Sequence, residues 1–241
     1  MLGRFFKVLK DIVYPEICLS CKERTDKGAI DNLICSRCWL EIKRNTPPFC
    51  LACGRTLKGN RLKKNICVNC MRQPHYFDRA FSPCVYTGAI QELIRQFKYN
   101  GKDRLGLPLS RLMIEFIREY DIPIEYMDYI VPVPLHGVRR RQREFNQAEL
   151  LGRYISEEFR KPLSADLLVR HHPTRTQTGL KTEKRISNVK GCFAVKNRDL
   201  VNGKKILLVD DVLTTGATSS EAAFTLKDAG ANIVFVMTLA S

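Results

Sequence analysis

Long apolar runs are missing from this 241-residue sequence, in which no stretch approaches the roughly 18 apolar residues of a membrane-spanning helix. The opening residues, MLGRFFKVLK, lack both the uninterrupted apolar stretch and the small-residue cleavage site of a secretory signal peptide. Acidic side chains are scarce, with 25 Asp and Glu against 40 Lys and Arg, which gives a formal net charge of +15. We therefore expect a cytoplasmic protein without a membrane span, whose partner is a polyanion or a phosphate-rich ligand.

Cysteine, by contrast, is plentiful and regularly placed. Eight of the ten cysteines form four C-x-x-C pairs, and the last two pairs repeat the first two at an offset of 32 residues. The eight positions are Cys18, Cys21, Cys35, Cys38, Cys50, Cys53, Cys67 and Cys70. A disulfide framework would need an oxidising compartment, whereas C-x-x-C pairs in a cytosolic chain typically hold zinc. The repeat predicts two structural zinc ions in closed four-cysteine shells, with pairing inside each repeat as the simplest assignment and crossed pairing left open.

Three other residues that could bind metal have simpler explanations. Cys84 and Cys192 stand alone, and we expect them to be small buried apolar residues. His75 follows the last paired cysteine by five positions, and we expect it at the surface rather than in a zinc shell.

Composition divides the chain into three segments. Residues 1–17 contain an amphipathic helix pattern over 2–13 that ends before Pro15. Residues 18–77 form the cysteine module, which is poor in apolar residues and needs metal for its core, so metal removal should unfold it alone. Residues 78–241 have an ordinary globular composition and form the third segment.

The third segment alternates strand and helix patterns. The predicted strands are 79–86, 129–131, 166–169, 192–195, 205–209 and 232–239, and the predicted helices are 88–98, 104–120, 145–159 and 218–229. This alternation predicts an α/β fold, a mostly parallel sheet with helices on both faces.

Basic charge is concentrated in two places. Residues 1–77 carry a net +9, which two zinc-thiolate sites would lower to about +5. Residues 136–190 carry a net +7, more than the whole surplus of 78–241. We expect phosphate-handling surfaces in both places.

The segment 205–218, KILLVDDVLTTGAT, has the strongest chemical pattern of the chain. A buried apolar strand is followed by two carboxylates, and a Thr- and Gly-rich loop then begins a helix. Ligands of open α/β sheets bind outside the carboxyl ends of the strands, and the N–H groups at a helix N-terminus suit a phosphate. Adjacent carboxylates suit sugar hydroxyls and Mg²⁺. The candidate ligand-binding residues are Asp210, Asp211, Thr214, Thr215, Gly216, Ala217 and Thr218.

Two other interpretations of this segment are weaker. An apolar strand ending in two Asp residues also occurs as the Walker B strand of P-loop ATPases, but no G-x-x-x-x-G-K-[ST] string precedes it. A buried strand with an ordinary polar turn would not need so dense a run of Thr and Gly. The segment resembles the phosphoribosyl pyrophosphate (PRPP) loop of type I phosphoribosyltransferases. That resemblance implies that the acidic pair holds the ribose hydroxyls and that the Thr/Gly loop holds the 5′-phosphate.

Two further stretches, together with the cysteine module, resemble the ComF family. The stretch VPVPLHGVRRRQREFNQA from Val131 is similar to that family's VPVPL…R-x-R-G-F-N-Q-A, although Glu144 stands where the family usually has Gly. The stretch from Arg170 to Val189 is similar to the family's R-x-x-x-T-x-x-Q…R-x-x-N-V. The resemblance implies a type I phosphoribosyltransferase-like domain behind an N-terminal zinc ribbon. It also implies that basic residues face the pyrophosphate, for which the candidates are Arg139, Arg141, Arg143, Arg175 and Arg185. A solvated basic turn is the alternative for 139–143.

The resemblance further implies a role in natural transformation, handling incoming single-stranded DNA beside the uptake helicase. The implied ligands and partners are PRPP, Mg²⁺, two zinc ions, single-stranded DNA and that helicase. Two alternatives remain open: an active phosphoribosyltransferase with an unidentified acceptor and no DNA role, and a PRPP-responsive regulator. No catalytic residue can be assigned from the sequence. We expect DNA to be bound through phosphate contacts, with the basic cluster of Arg61, Lys63 and Lys64 contributing.

Overall fold

A computed structural model describes residues 16–57, 65–98, 102–135, 144–171 and 189–241 of the protein. The helix predicted over 2–13 lies outside these residues. None of the described helices is both long and apolar enough to cross a bilayer.

The described elements follow the predicted alternation. The strands are β1 (Arg79–Phe81), β2 (Tyr129–Pro132), β3 (Leu168–Arg170), β4 (Phe193–Val195), β5 (Lys205–Val212) and β6 (Ile233–Ala240). The helices are α1 (Ser36–Leu40), α2 (Val68–Arg72), α3 (Ala89–Lys98), α4 (Gly106–Glu119), α5 (Gln147–Phe159) and α6 (Ala217–Asp228). Short 3-10 turns cover Asp103–Leu105 and Ile124–Tyr126.

Two strand ends differ from the sequence prediction by three residues or more. β1 ends at Phe81 rather than at residue 86, because Pro83 has no N–H to donate to a ladder. Pairing with β6 returns only as a single bridge between Cys84 and Ala240. β5 extends to Val212 rather than ending at residue 209, so the two Asp residues lie inside the strand.

The predicted parallel sheet is confirmed. Its four strands lie in the order β1-β6-β5-β2 and all pair in parallel, while β3 and β4 form a separate antiparallel pair. Alternate residues of β5 enter two different cores, as the twofold repeat of a strand requires. Leu207 and Val209 pack with α3, α4 and α5, whereas Ile206 and Leu208 pack with α6. Helices therefore cover both faces of the sheet.

The cysteine module covers the outer edge of β1. Ala80 N–H donates to the carbonyl of Ala52 at 2.7 Å, on the side of β1 that faces away from β6. The N–H of Asn45 donates to Pro83 O at 2.8 Å, and its buried side-chain amide donates to Ser82 O and Cys84 O at 3.0 Å each. The module thus satisfies backbone groups of an edge strand that would otherwise be open.

The module also contributes to both cores. Cys18, Cys35 and Cys38 belong to the core that contains α3, α4 and α5. Cys50, Cys53 and Cys70 belong to the core on the α6 side. A boundary at residue 77 therefore separates two segments of sequence that share their apolar packing.

Gly54 makes the closest approach between the module and β1, and its replacement is a test of this packing. Its φ is +72°, and a Cβ there would lie 2.4 Å from the carbonyl oxygen of Ala80. We expect Gly54→Ala to lower the free energy of unfolding by about 2–5 kcal/mol, from left-handed strain plus overpacking. Gly88→Ala is the matched control, because Gly88 has φ +59° but open space around it. It should cost only the strain, about 1–2 kcal/mol. If chemical denaturation gave both variants the same loss of unfolding free energy, the packing described would be contradicted.

Candidate metal centres and phosphate-binding loop

The eight paired cysteines form two groups of four. One group is Cys18, Cys21, Cys35 and Cys38, and the other is Cys50, Cys53, Cys67 and Cys70. All Sγ atoms within a group lie within 4.8 Å of one another. Pairing inside each repeat, the simpler of the two assignments, is therefore the one that the fold produces.

The sulfur spacing fits zinc. Four thiolates about 2.3 Å from a tetrahedral zinc lie about 3.8 Å from one another. The Sγ atoms of Cys21 and Cys35 are 3.8 Å apart, as are those of Cys53 and Cys67. A disulfide would need about 2.05 Å, and all ten cysteines are free thiols. Each cluster would hold one zinc as a closed, structural shell.

The same local structure builds each shell. The first C-x-x-C pair closes a turn, with Lys22 N–H donating to Cys18 O and Gly54 N–H donating to Cys50 O, both at 2.9 Å. The second pair lies at the start of a short helix, with Cys35 preceding α1 and Cys67 preceding α2. Burial disfavours the thiolate of Cys18, but surrounding N–H groups outweigh it and lower its pKa to about 7.

The remaining cysteines are structural, as predicted, but His75 is not a surface residue. Cys84 and Cys192 are buried, and burial raises the pKa of Cys84 to about 12. His75 is half-buried and stacks on Phe77 with ring centroids 4.6 Å apart. Burial also lowers the pKa of His75, which favours the neutral imidazole. It lies outside both cysteine groups.

β5 carries its two carboxylates past the end of one neighbouring strand. Pairing with β2 stops at Val209, which aligns with Pro132. Pairing with β6 continues to Val212, which aligns with Ala240. Asp210 and Asp211 therefore border the space beyond the carboxyl end of β2, which is where open α/β sheets bind ligands.

The Thr/Gly loop connects these carboxylates to the start of α6. Gly216 has φ +77°, a left-handed conformation that favours glycine, and Ala217 begins the helix. Ser220 N–H donates to Gly216 O at 2.7 Å, and Ala217 N–H donates to the Thr215 hydroxyl at 3.4 Å. This loop therefore leads directly into a helix N-terminus beside the acidic pair, as the sequence predicts for a phosphate site.

Asp210 and Asp211 differ in their surroundings. Burial, and then the charge of Asp211, raise the pKa of Asp210 to about 7. Asp211 is only 8% exposed and forms an ion pair with Lys98, whose Nζ lies 2.9 Å from Oδ2. Lys98 is a component of the acidic site that the sequence analysis did not include. It ends α3, more than a hundred residues earlier in the chain, and its position carries no local signal.

Comparison with known proteins identifies both halves of the chain. Residues 9–77 match the double zinc ribbon domain, and residues 103–241 match the phosphoribosyl transferase domain. "Competence protein F" of Haemophilus influenzae is 30% identical over 226 residues, covering 92% of this chain and 96% of its own length. This chain belongs to the ComF family. "DNA utilization protein YhgH" of Escherichia coli is 29% identical over 95% of this chain and 98% of its own length. "Competence protein ComFC" of Bacillus subtilis is 26% identical over 90% and 91%.

The residues that resemble ComF motifs fall into two groups. Arg139, Arg141, Arg143, Arg175 and Arg185 lie outside the described residues, so their assignment to pyrophosphate stays a prediction. Of the motif's other residues, Asn146 caps α5 by accepting from Ala148 N–H at 3.2 Å. Gln147 is buried and donates to Phe97 O at 3.1 Å. Glu144 has φ +66°, so it keeps the left-handed conformation for which the family's usual glycine is suited.

Two further residues beside the Thr/Gly loop were not among the candidate site residues of the sequence analysis. Arg55 and His75 of the zinc ribbon contact the segment 213–216 of the same ComF chain. Both lie within five residues of a cluster cysteine, and nothing in their spacing relates them to a loop about 150 residues away.

Proposed function

We propose that this ComF protein binds PRPP with Mg²⁺ at the carboxyl end of its parallel sheet and handles single-stranded DNA in the cytoplasm during DNA uptake. The observation that carries the PRPP part is the juxtaposition at the end of β5. A pair of carboxylates and a helix N-terminus opened by a left-handed glycine lie within one short segment. In ribose 5-phosphate the hydroxyls and the phosphate are also close together, so one ligand can contact both the carboxylates and the helix N-terminus.

Each component of the site has a distinct role in this proposal. Asp210 and Asp211 accept hydrogen bonds from the ribose 2′- and 3′-hydroxyls. The N–H groups of 214–218 donate to the 5′-phosphate. Mg²⁺ would neutralise the pyrophosphate, and carboxylate oxygens of the acidic pair are the type of ligand it prefers. Lys98 holds Asp211 in place until ligand binds, because it compensates the charge that burial disfavours. Titration calorimetry of the zinc-loaded chain with PRPP and Mg²⁺ tests this part directly.

The DNA part is supported by the names of the relatives and by the charge distribution. Relatives matched along nearly their full length are called competence proteins and DNA utilization proteins. The formal net charge of +15 favours a polyanionic partner. The uptake helicase, which the resemblance to the ComF family implies, is the protein partner that we propose.

We expect single-stranded DNA binding to depend strongly on salt and little on sequence. If Z phosphates are contacted, log K should fall with log[salt] at a slope near −0.7Z. Reversing Arg61, Lys63 and Lys64 to Glu should weaken binding and flatten the slope by about 2, because three contacts are lost. The matched control reverses Lys196, Arg198 and Lys204, which lie outside the basic segments 1–77 and 136–190.

Repeating the oligonucleotide titration with saturating PRPP and Mg²⁺ separates two surfaces. Unchanged DNA affinity would indicate that DNA and PRPP bind different basic residues. Competition would indicate that the basic segment 136–190 serves both. No binding at low salt, with two zinc ions per chain, would remove DNA from the proposal.

Catalytic phosphoribosyl transfer is the second candidate function, favoured by the match of 103–241 to phosphoribosyl transferase domains. In that reaction an acceptor attacks C1 of the ribose while the C1–oxygen bond to pyrophosphate breaks. A screen of bases and nucleic acids for PRPP-dependent release of pyrophosphate tests it. Steady release of pyrophosphate with one acceptor would establish an enzyme. If no acceptor gives pyrophosphate release, the binding role is favoured.

A further inference from the structure

The second cysteine cluster contacts the start of the phosphate loop through Arg55. This residue follows the Cys50–Cys53 turn directly, and its carbonyl accepts from Cys50 N–H at 2.8 Å. Its guanidinium Nη2 donates to Leu213 O at 2.6 Å and also to Thr214 O. The side chain of Arg55 therefore joins the zinc turn to two successive peptide groups of the loop.

These two hydrogen bonds fix the direction of the loop's donors. In a trans peptide the carbonyl oxygen and the following N–H point in opposite directions. Holding Leu213 O and Thr214 O towards Arg55 therefore turns the N–H groups of Thr214 and Thr215 away from it. The same orientation keeps both carbonyl oxygens, which would repel a phosphate, on the Arg55 side of the loop.

His75 and Tyr76 contact the next part of the same segment. A Cβ on Gly216 would lie 2.7 Å from His75 Cε1 and 3.1 Å from Nδ1, so the imidazole packs directly against the glycine. The same imidazole stacks on the ring of Phe77. The N–H of Tyr76 donates to Ser220 Oγ at 3.0 Å. These residues follow α2, which contains Cys70, so both halves of the second cluster lead into contacts with 213–220.

We propose that Arg55 and His75 are positioning residues for the 5′-phosphate, through which the second zinc cluster sets the conformation of the phosphate loop. This inference rests on the proposed PRPP function and adds a role to a cluster that would otherwise be only structural. The first cluster packs into the core on the opposite face of the sheet, so the proposal concerns the second cluster alone.

Ribose 5-phosphate and pyrophosphate separate the two ends of the site in a test. In this proposal the affinity for ribose 5-phosphate depends on the loop, whereas the affinity for pyrophosphate does not. We expect Arg55→Ala in the full zinc-loaded chain to weaken ribose 5-phosphate binding about tenfold or more and to leave pyrophosphate affinity unchanged. Arg55→Lys keeps the charge but offers a point donor in place of the planar fork, so it should give an intermediate loss.

The matched control is Arg44→Ala, which removes the same charge from the part of the module on the α4 side. Arg44 is exposed and lies 3.4 Å from Glu115, and its loss should leave both affinities unchanged. A direct readout of positioning is amide hydrogen exchange of 213–220 without ligand, which should be faster in Arg55→Ala than in Arg44→Ala. If Arg55→Ala loses zinc, Arg55→Lys with a full zinc content gives the deciding comparison.

The outcomes distinguish this inference from the proposed function. Wild-type protein that binds neither PRPP nor ribose 5-phosphate would remove both. Wild-type protein that binds ribose 5-phosphate, together with zinc-loaded Arg55 variants of equal affinity and equal exchange at 213–220, would overturn the positioning role alone. A loss of ribose 5-phosphate and pyrophosphate affinity to the same degree would also overturn it, because the effect would not be local to the loop.

Discussion

Replacing Asp210 and Asp211 together by Asn is expected to weaken PRPP binding about a hundredfold or more. Each substitution keeps the size of the side chain and removes the charge that accepts a ribose hydroxyl. A hydrogen bond to a charged group is worth roughly 1.5–3 kcal/mol, so the loss of two corresponds to at least this change in affinity. Calorimetric titration with PRPP in the presence of Mg²⁺ measures it. Unchanged affinity in the double variant would remove these residues from the site.

The single variant Asp210→Asn controls for folding. The pKa of Asp210 is raised to about 7 in the folded chain, above the ordinary value of 3.8. The folded state therefore binds the proton more tightly than the unfolded state, and stability falls as the pH rises between about 4 and 7. Asn cannot ionise, so it removes this loss of stability. It also keeps the side-chain oxygen that accepts from Asp211 N–H at 2.8 Å. Its melting temperature should exceed that of the wild type above pH 7, with the difference shrinking towards pH 4, so lost binding cannot be attributed to unfolding.

The acidic pair and its loop could be predicted because their signal is local. An apolar strand, two carboxylates and a Thr/Gly run occupy one short segment, and the fold places them together by continuity of the chain alone. The cysteine clusters could be predicted for the same reason, since the repeat spans little sequence. Strand and helix alternation likewise depends on local periodicity, whereas the length of β5 depends on its pairing with β6, which continues to Val212.

The residues that surround the site could not be predicted, because their roles depend on contacts between distant segments. Lys98 reaches Asp211 from the end of α3, and Arg55 reaches Leu213 from a zinc turn. Each is one of 40 basic residues, and composition cannot single it out. His75 was expected at the surface, yet it packs against Gly216. The independence of the cysteine module was inferred from its few apolar residues, but its cysteines themselves enter both cores of the protein.

That shared packing changes the expected result of metal removal. Chelation of zinc should unfold the whole described chain, rather than residues 18–77 alone. Zinc binding to a four-cysteine site contributes on the order of 10–16 kcal/mol to folding, which equals or exceeds the usual net stability of a domain, about 5–15 kcal/mol. Without metal, the cysteine side chains no longer surround an ion, and both cores that contain them are poorly packed. β1 also loses the backbone hydrogen-bond partners on its outer edge.

The measurement combines zinc content with far-ultraviolet circular dichroism and thermal melting after treatment with a strong chelator. Cys21→Ser and Cys53→Ser remove one ligand from each cluster, and both should lower the melting temperature of the entire chain in a single transition. Cys84→Ala is the control, since Cys84 is buried but belongs to neither cluster, and its small cavity should cost far less. A chelated protein that keeps its helix and strand signals and melts as before would show that the sheet folds without the module. A single transition would instead show that the zinc sites and the parallel sheet are one cooperative unit, as expected when an edge strand has the module on one side and the sheet on the other.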